Sequence, residues 1–479
     1  MNASLREEMP VRTVDTGFHV EPGVIAQAVA FLQEHFADRV NVSQAVREHH
    51  ARGEGLATSL APDAVVWPAD KYEVSVILAR CNALGVPVIA FGAGSSVEGH
   101  VSAPYGGICM DLSRMDAVLD VHAEDSDCVV QPGVTRESLN AYLKGTGLFF
   151  PVDPGANATL GGMVSTRASG TTTMRYGSMA HNVMALEVAM ADGRLLRFGT
   201  RARKSSAGYD LAHLMIGAEG TLGVITEITL RLHPLPEAVS AASCAFPTLR
   251  EAIAAVSELT MTGMPFARIE FLDEHQIRAC NLHSNLGLME LPTLFLEFHG
   301  SETSVREQSE LAQAVAAEHG GIGFEWATQT EDRSRLWRAR HLAYFAALAM
   351  RPGCQNVVAD VCVPVSALAA CVERVREEID KAGLIAPILG HVGDGNFHVI
   401  FLPMPDAPEE HAAVERVYSA MVTHALELGG TCTGEHGIGL GKKAKLVDQC
   451  GQDVVDLMQI TKLAWDPKSI LNPGKIFGR

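Results

Sequence analysis

The sequence has no long apolar run and is poor in positive charge. No uninterrupted apolar stretch approaches the roughly 20 residues that a membrane-spanning helix needs, so we expect no transmembrane segment. It has 38 Lys and Arg residues and 56 Asp and Glu residues, which gives a formal net charge of −18. Because no Lys/Arg-rich run offsets this charge, we expect no nucleic-acid partner. An anionic small molecule would need a pocket lined by cations or a metal.

Targeting patterns and clustered cysteines are also missing. The first 15 residues have no apolar core and carry acidic residues, so they fit neither a secretory signal nor a transit peptide. The ten cysteines are scattered, without a CxxC pair or metal-type spacing. We therefore expect reduced cysteines that serve as small core residues. We also expect a cytoplasmic protein, with peripheral attachment to a membrane left open.

The chain is long enough for more than one domain, and its texture changes twice along its 479 residues. Residues 1–57 predict a mostly helical lead-in, residues 58–236 alternate short apolar runs with Gly and Pro, and residues 237–479 alternate strands with long amphipathic helices. These helices are predicted near 248–262, 301–319, 330–350, 365–383 and 408–428. The last pattern predicts an α+β domain whose helices lie on one face of a sheet.

A glycine-rich loop, FGAGSSVEG (91–99), follows a predicted strand. Its glycines do not have the GxGxxG spacing of a dinucleotide-binding turn, because Gly99 is the next glycine after Gly92 and Gly94. Two interpretations stay open. The loop is either a nest of backbone N–H groups for phosphate oxygens or a plain tight turn.

The run from 151 to 177 is long and dense in small residues. It offers little material for a core, but it lets the backbone approach a flat or extended ligand closely. Its hydroxyls and amides suit a pyrophosphate and a polar ring edge. A surface loop is the alternative, although loops of this length are rarely without function. We favour a cofactor site, which GAEGTLGVI (217–225) extends.

These three segments resemble the FAD domain of the vanillyl-alcohol-oxidase type of flavoproteins, from about residue 60 to residue 236. The resemblance implies that Gly92, Gly94, Ser95 and Ser96 hold the FAD pyrophosphate. It also implies a cofactor wall formed by Pro154, Gly161, Gly162, Ser165, Thr166 and Ser169, with Glu219, Gly220 and Ile225 nearer the adenosine half. Some members tether FAD to a histidine in the first loop. Ser95 stands roughly there, with His100 further along, so the resemblance implies non-covalent FAD.

Two histidines and a carboxylate lie in glycine-framed segments far apart in the sequence. GHVGDGNFH contains His391 and His398 around strong turn residues, which predicts a strand–turn–strand that brings both imidazoles together. GEHGIG (434–439) contains Glu435 and His436. Two histidines and one carboxylate form a common open site for a divalent metal. Each histidine alone is more often a core or turn residue, so the residues leave both interpretations open.

Four motifs extend the resemblance to about residues 60–479. DVCVPVS (360–366), GHVGDGNFH, TCTGEHGIG and NPGKIF resemble the cytochrome-type D-lactate dehydrogenases and their D-2-hydroxyglutarate relatives among the FAD-linked oxidases. The resemblance implies that His391, His398 and Glu435 bind a divalent metal, Zn or Mn, and that His436 is the general base. It implies that Arg340 pairs with the substrate carboxylate and that Asn472 returns to the flavin site. The expected fold is therefore α+β, with a two-part FAD-binding domain, a substrate (cap) domain and a returning C-terminal segment.

The expected reaction is oxidation of a D-2-hydroxy acid, D-lactate to pyruvate. A metal would lower the pKa of the substrate hydroxyl, and a neutral histidine would take its proton as hydride leaves C2 for the flavin. Oxygen, a quinone, a cytochrome and an electron-transfer flavoprotein stay open as electron acceptors. Arg335 and Arg338 are expected on a solvated helix face. Lys442 and Lys443 are an alternative clamp for the carboxylate, but we expect them on the surface.

Three alternatives remain at this point. Glycolate or D-2-hydroxyglutarate would keep the fold, but Val358 and Ala359 stand where a second cationic clamp for a dicarboxylate is expected. This favours a monocarboxylate. A metal-dependent hydrolase would make the glycine-rich run a simple loop. A non-redox flavin enzyme such as an ether-lipid synthase is disfavoured by the metal cluster.

Overall fold

The first half of the chain forms two main sheets, a two-stranded antiparallel pair and the helices between them. Residues 23–55 and 60–477 are described by the structure, which is a computed structural model. Its helices here are α1 (Val24–Phe36), α2 (Gln44–His49), α3 (Lys71–Leu84), α4 (Arg136–Tyr142), α5 (Leu160–Ser165), α6 (Thr173–Tyr176), α7 (Met179–Asn182) and α8 (Leu211–Met215). Its strands are β1 (Val40–Asn41), β2 (Ala64–Val66), β3 (Val88–Phe91), β4 (Ile108–Asp111), β5 (Val118–His122), β6 (Asp127–Val130), β7 (Leu148–Phe149), β8 (Val183–Ala189), β9 (Leu195–Gly199), β10 (Val224–Arg231) and β11 (His233–Pro234).

Each of these two sheets has its own core. The first has the order β1-β2-β4-β3, with β2, β4 and β3 parallel, and the second is antiparallel with the order β5-β6-β10-β8-β9. Local signals fix several elements. Asp70 caps α3 by accepting from the Tyr72 and Glu73 backbone N–H groups, and Gly85 ends it with φ 71°. The sequence predicts this cap and this stop, and it also predicts a hairpin around Asp192 and Gly193, which the antiparallel pair β8–β9 confirms.

Part of the predicted lead-in belongs to the first sheet. Strand β1 pairs antiparallel with β2, and Ala28, Leu32 and Phe36 of α1 are buried in the core that includes α3. Residues 1–22 and 56–59 lie outside the described residues. The chain also returns to this sheet at its other end, where Leu471 bridges Val88 of β3 in parallel. This return confirms the predicted C-terminal segment.

The second half is built around one seven-stranded sheet with the order β15-β12-β14-β13-β17-β18-β16. Its strands are β12 (Ala238–Ala245), β13 (Phe266–Leu272), β14 (Thr293–Gly300), β15 (Ile322–Ala327), β16 (Val357–Cys362), β17 (Ile388–Gly390) and β18 (Asn396–Phe401). Its helices are α9 (Leu249–Met261), α10 (Glu274–Ser284), α11 (Glu302–Glu318), α12 (Thr330–Ala349), α13 (Leu368–Lys381), α14 (Pro408–Glu427), α15 (Lys443–Cys450) and α16 (Gln452–Trp465). All five predicted long helices are present.

Helices cover both faces of this sheet, so the prediction of helices on one face was wrong. In β14, Leu294, Leu296 and Phe298 pack with α9, α11 and α13, whereas Phe295 points the other way, toward α10 and α12. Alternate residues of a strand point to opposite faces, so a strand that is apolar at successive positions needs cover on both sides. The face covered by α12 is the one that carries the site.

No helix among the described residues is long and apolar enough to cross a membrane. All ten cysteines are free thiols, and most are buried, as the scattered spacing predicts.

Candidate functional site

A cavity of about 1070 Å³ extends from the glycine-rich loops of the first half to the α12 face of the seven-stranded sheet. Every residue that the sequence singles out for the site lines this one cavity. They are Gly92, Gly94, Ser95, Ser96, Pro154, Gly161, Gly162, Ser165, Thr166, Ser169, Glu219, Gly220, Ile225, Arg340, His391, His398, Glu435, His436 and Asn472. Their placement fits the predicted roles, which stay predictions.

The glycine loops at one end have no room for side chains. A Cβ at Gly92 would lie 2.2 Å from Thr159 Oγ1, and one at Gly161 would lie 2.6 Å from Pro132 Cβ. Gly94 has φ 68°, which glycine adopts without strain. The hydroxyl of Ser96 is buried without a hydrogen-bond partner among the described residues. An open backbone cradle with a spare hydroxyl suits the pyrophosphate of a dinucleotide.

Strand register brings the metal-type donors together at the other end. His391 directly follows β17, and His398 lies in β18 opposite Leu389 of β17. Nε2 of His391 lies 3.1 Å from Glu435 Oε1, and Nε2 of His398 lies 3.9 Å from Glu435 Oε2. Donors about 2 Å from a common ion lie roughly 3 to 4 Å apart, so this spacing suits one divalent metal. The predicted strand–turn–strand is confirmed.

A buried carboxylate orients His391 from behind. Glu270 Oε1 lies 2.6 Å from His391 Nδ1, which leaves Nε2 for Glu435 and an ion. Burial alone would lower the pKa of His391, but Glu270 and Glu435 raise it well above its ordinary value. The two carboxylates therefore create a place for positive charge, which a proton or a metal can fill. Burial lowers the pKa of His398 to about 3, so that imidazole is a neutral donor.

Asp360, His398 and His436 form an overlapping group of possible ligands. The Asp360 carboxylate is already occupied, because its Oδ2 accepts the backbone N–H groups of Gly434 and Glu435, and Lys442 pairs with Oδ1. The group around Glu435 therefore suits a metal better. Lys442 is fully buried, so the prediction that it lies on the surface was wrong. Lys442 stands next to Lys443 and beside a glycine turn, a pattern typical of the surface. Nothing in the sequence near it indicates that Asp360 lies close in the fold.

The imidazole of His436 stacks on that of His398, with ring centroids 5.3 Å apart. Its Nδ1 lies 3.2 Å from Asp360 Oδ1. The two atoms are close, but they are not aligned as a hydrogen bond, so the contact is electrostatic. Among the described residues, Nε2 has no hydrogen-bond partner, and it is the ring nitrogen left for a molecule in the cavity.

Of the three arginines near 340 on α12, one faces the cavity. Nε of Arg340 donates to Glu270 Oε2 at 2.6 Å, and Arg340 lines the cavity. Within the described residues its terminal Nη groups have no hydrogen bond, so they remain for an anion. Arg335 and Arg338 are exposed, as predicted.

Sequence reasoning missed a second arginine in the cavity wall, Arg268 of β13. It lies 3.1 Å from Asp153 and 3.2 Å from Glu297, and its guanidinium stacks on Trp337. The expectation that the cap offers no second cation was therefore incomplete, although this one is already neutralised. The sequence does carry a signal. In FARIEFL the two charges, Arg268 and Glu270, stand two apart in an apolar strand and so share a face.

Both halves of the chain that line the cavity match known protein families. Residues 62–199 match the family "FAD binding domain", and residues 235–476 match "FAD linked oxidases, C-terminal domain". The chain is 47% identical over 440 residues to the probable mitochondrial D-lactate dehydrogenase of Danio rerio, covering 91% of this chain and 88% of that protein. It is 45% identical to the mitochondrial D-lactate dehydrogenase (cytochrome) of Arabidopsis thaliana, covering 87% of this chain and 73% of that protein.

A solved structure supports the fold. The chain aligns with substrate-bound p-cresol methylhydroxylase with a TM-score of 0.77 and 18% identity, covering 95% of this chain and 97% of that one. At this identity the likeness concerns the fold alone, and it confirms the vanillyl-alcohol-oxidase type of architecture.

The expectation of a cytoplasmic protein was wrong by these comparisons. The fish and plant relatives are both named as mitochondrial enzymes. Composition and reduced cysteines fit either compartment, so they could not separate the two.

Proposed function

The chain belongs to the FAD-linked oxidases, in the family of the D-lactate dehydrogenases, and we propose that it oxidises D-lactate to pyruvate with the help of a divalent metal. One observation carries this proposal. The base, the metal-type donors and the free arginine end meet at one end of the cavity whose other end is the glycine cradle.

The chain's residues suit the two groups that this reaction needs. The cradle of Gly92, Gly94 and Gly161 would hold FAD, and His391, His398 and Glu435 would hold the metal. When bound, FAD supplies the acceptor for the C2 hydride and the metal supplies a Lewis acid for the substrate hydroxyl.

Side chains of the protein bind the substrate and accept its proton. The free end of Arg340 pairs with the lactate carboxylate and fixes which way the substrate lies. Nε2 of His436 accepts the hydroxyl proton. Loss of that proton, and of the C2 hydrogen with its electron pair, converts the alcohol to the ketone of pyruvate.

A short monocarboxylate suits the rest of the wall. Val358 lines the cavity where a second clamp for a dicarboxylate is expected, and Leu389 and Ile400 add apolar surface beside it. Arg268 does not replace the clamp, because Asp153 and Glu297 already neutralise it.

We propose a cytochrome-type protein as the electron acceptor, ahead of a quinone, an electron-transfer flavoprotein or oxygen. Support comes from the name of the plant relative. Purified protein should reduce cytochrome c with D-lactate faster than it consumes oxygen.

The direct test is dye-linked oxidation of a panel of D- and L-2-hydroxy acids, with and without a chelator. We expect D-lactate to be oxidised fastest, and chelation to reduce turnover while the flavin stays bound. A strong preference for an L-isomer or a dicarboxylate would contradict the substrate. Full activity in a metal-free preparation would contradict the metal, and His398→Ala should lower both metal content and turnover.

A further inference from the structure

The loop that carries His436 is held by two buried carboxylates, one from each half of the chain. On one side, Glu219 Oε1 accepts the backbone N–H of Ile438 at 2.7 Å, and Oε2 accepts that of Gly439 at 2.8 Å. Glu219 comes from the FAD-binding half, 219 residues before Ile438 in the sequence. Its side chain therefore reaches the segment directly after the base.

On the other side, Asp360 of β16 holds the segment directly before the base. Its Oδ2 accepts the backbone N–H groups of Gly434 and Glu435, and its Oδ1 faces His436 Nδ1. Asp360 pairs with His398 in the β16–β18 register, so its position is set by the same sheet that carries a metal-type donor. Bonds from N–H groups to a carboxylate are among the stronger hydrogen bonds in proteins.

A buried lysine fixes Asp360 in turn. Lys442 Nζ pairs with Asp360 Oδ1 and lies 3.1 Å from Thr433 Oγ1 and 3.2 Å from Glu98 Oε1. Both oxygens of the Asp360 carboxylate are therefore held by donors, Oδ2 by two backbone N–H groups and Oδ1 by Lys442.

The loop has little freedom between these two anchors. Gly437 has φ 74°, and a Cβ there would lie 2.7 Å from Glu219 Oε1 and 3.0 Å from His100 Nε2. Two backbone N–H groups on each side of His436 are therefore bound to a carboxylate, and the backbone at Gly437 fits tightly against Glu219.

We propose that Asp360 and Glu219 are positioning residues, which hold His436 between the two halves of the chain and set the direction of its ring. The inference rests on the proposed function, in which His436 is the base. The negative charge of Asp360, 3.2 Å from Nδ1, favours the tautomer with its proton on that nitrogen and leaves Nε2 as the acceptor. Because Glu219 lies in the first half of the chain and lines the cavity there, the loop is also tied to the half that would hold the hydride acceptor.

The test is single-turnover flavin reduction by D-lactate in the holoenzyme, which separates the reduction rate from substrate affinity. In Asp360→Asn we expect the rate to fall about 10²-fold or more, with substrate affinity, FAD content and metal content nearly unchanged. Folding should tolerate this change, because Glu98 remains beside Lys442. Asp127→Asn is the matched control, since Asp127 is an equally buried, ion-paired carboxylate outside the cavity wall. It should reduce flavin at the normal rate.

Glu219→Gln tests the second anchor independently, since an amide nitrogen would face a backbone N–H. We expect a smaller rate loss, of about tenfold or more, with FAD retained. A normal reduction rate in Asp360→Asn, or a rate loss that parallels loss of metal, would overturn the inference and leave the proposed function standing. If wild-type flavin is not reduced by D-lactate at all, the proposed function itself fails.

Discussion

At the scale of single residues, the chemistry depends on which ring nitrogen of His436 is free. Asp360 faces Nδ1, and both His436 and Arg340 line the cavity, so Nε2 is the nitrogen that we propose as the proton acceptor. We expect His436→Ala to lower turnover on D-lactate about 10²- to 10⁴-fold, the usual contribution of a positioned base. FAD and metal content should stay the same, as measured by visible absorbance and elemental analysis.

His411→Ala is the control, because His411 hydrogen-bonds a backbone carbonyl in the outer part of the cap. It should retain full turnover. Near-normal turnover in His436→Ala would remove this residue from the mechanism.

The buried carboxyl of Asp273 should make the stability of the fold depend on pH. Burial raises the pKa of the Asp273 carboxyl from 3.8 to about 7, while the unfolded chain keeps the lower value. The folded pKa is the higher one, so stability is present in full at low pH and is lost as pH rises through about 7. Asp273→Asn keeps a cap for α10 but cannot ionise. Its stability relative to wild type should therefore increase by about 2 kcal/mol between pH ~5 and pH ~8.

Urea unfolding at both pH values measures this difference. A constant difference would show that Asp273 does not titrate in this range.

Single residues also show where sequence reasoning reached its limit. The histidines and Glu435 were predictable, because glycine turns frame them and a known family resemblance names them. Glu219 was also named as a cofactor-site residue, but its bonds to the His436 loop were not predictable, nor was the burial of Lys442, because each meets a partner that folding brings from a distant segment. Glu270 and Arg268 lie between these cases, since two charges at alternate positions of an apolar strand do mark a polar patch on one face.

At the scale of elements, the turn between β17 and β18 sets the spacing of the two metal-type histidines. Gly395 has φ 84°, and a Cβ there would lie 1.9 Å from the carbonyl oxygen of Val363. We expect Gly395→Ala to cost at least about 2 kcal/mol and to lower metal content, because the turn has to move. Urea unfolding and elemental analysis measure the two effects.

Gly383→Ala is the control, because it introduces the same backbone strain without a steric clash of the added Cβ. Gly383 follows α13 with φ 65°, but a Cβ there meets nothing within 4 Å. We expect a loss of only about 1 kcal/mol and normal metal content. Equal effects at the two glycines would show that the turn tolerates displacement.

Elements were the most predictable level of the structure. Amphipathic periods predicted five of the eight helices described in the second half, because such a period is a local property of the chain, whereas α10, α15 and α16 were not predicted. The covering of both sheet faces was missed, since α10 lies within a stretch of weak apolar periodicity and α12 is polar at many positions. Whether a helix covers one face or the other depends on strands far away in the sequence.

At the scale of the whole molecule, the two halves meet around one cavity, and contacts cross between them on several sides. Asp153 pairs with Arg268, and Tyr176 Oη lies 2.8 Å from His299 Nδ1. The predicted boundary near 237 separates the sheets, but Leu471 returns the chain to the first of them. Linear segmentation cannot show such a return, and the family resemblance supplied it.

FAD should be released when the whole protein is unfolded. Ser95 lines the cavity, and the family resemblance implies that it replaces a tethering histidine, while His100 is buried against Glu219. We expect acid precipitation to leave the flavin in the supernatant. Yellow protein in the pellet would show a covalent bond instead.

Anaerobic mixing of the purified holoenzyme with D-lactate, followed by the visible absorbance of the flavin, tests the proposed reaction directly. We expect rapid bleaching with D-lactate, slow or no bleaching with L-lactate, and one pyruvate formed per flavin reduced. A flavin that stays oxidised with D-lactate, in protein that retains its FAD and metal, would contradict the proposed reaction.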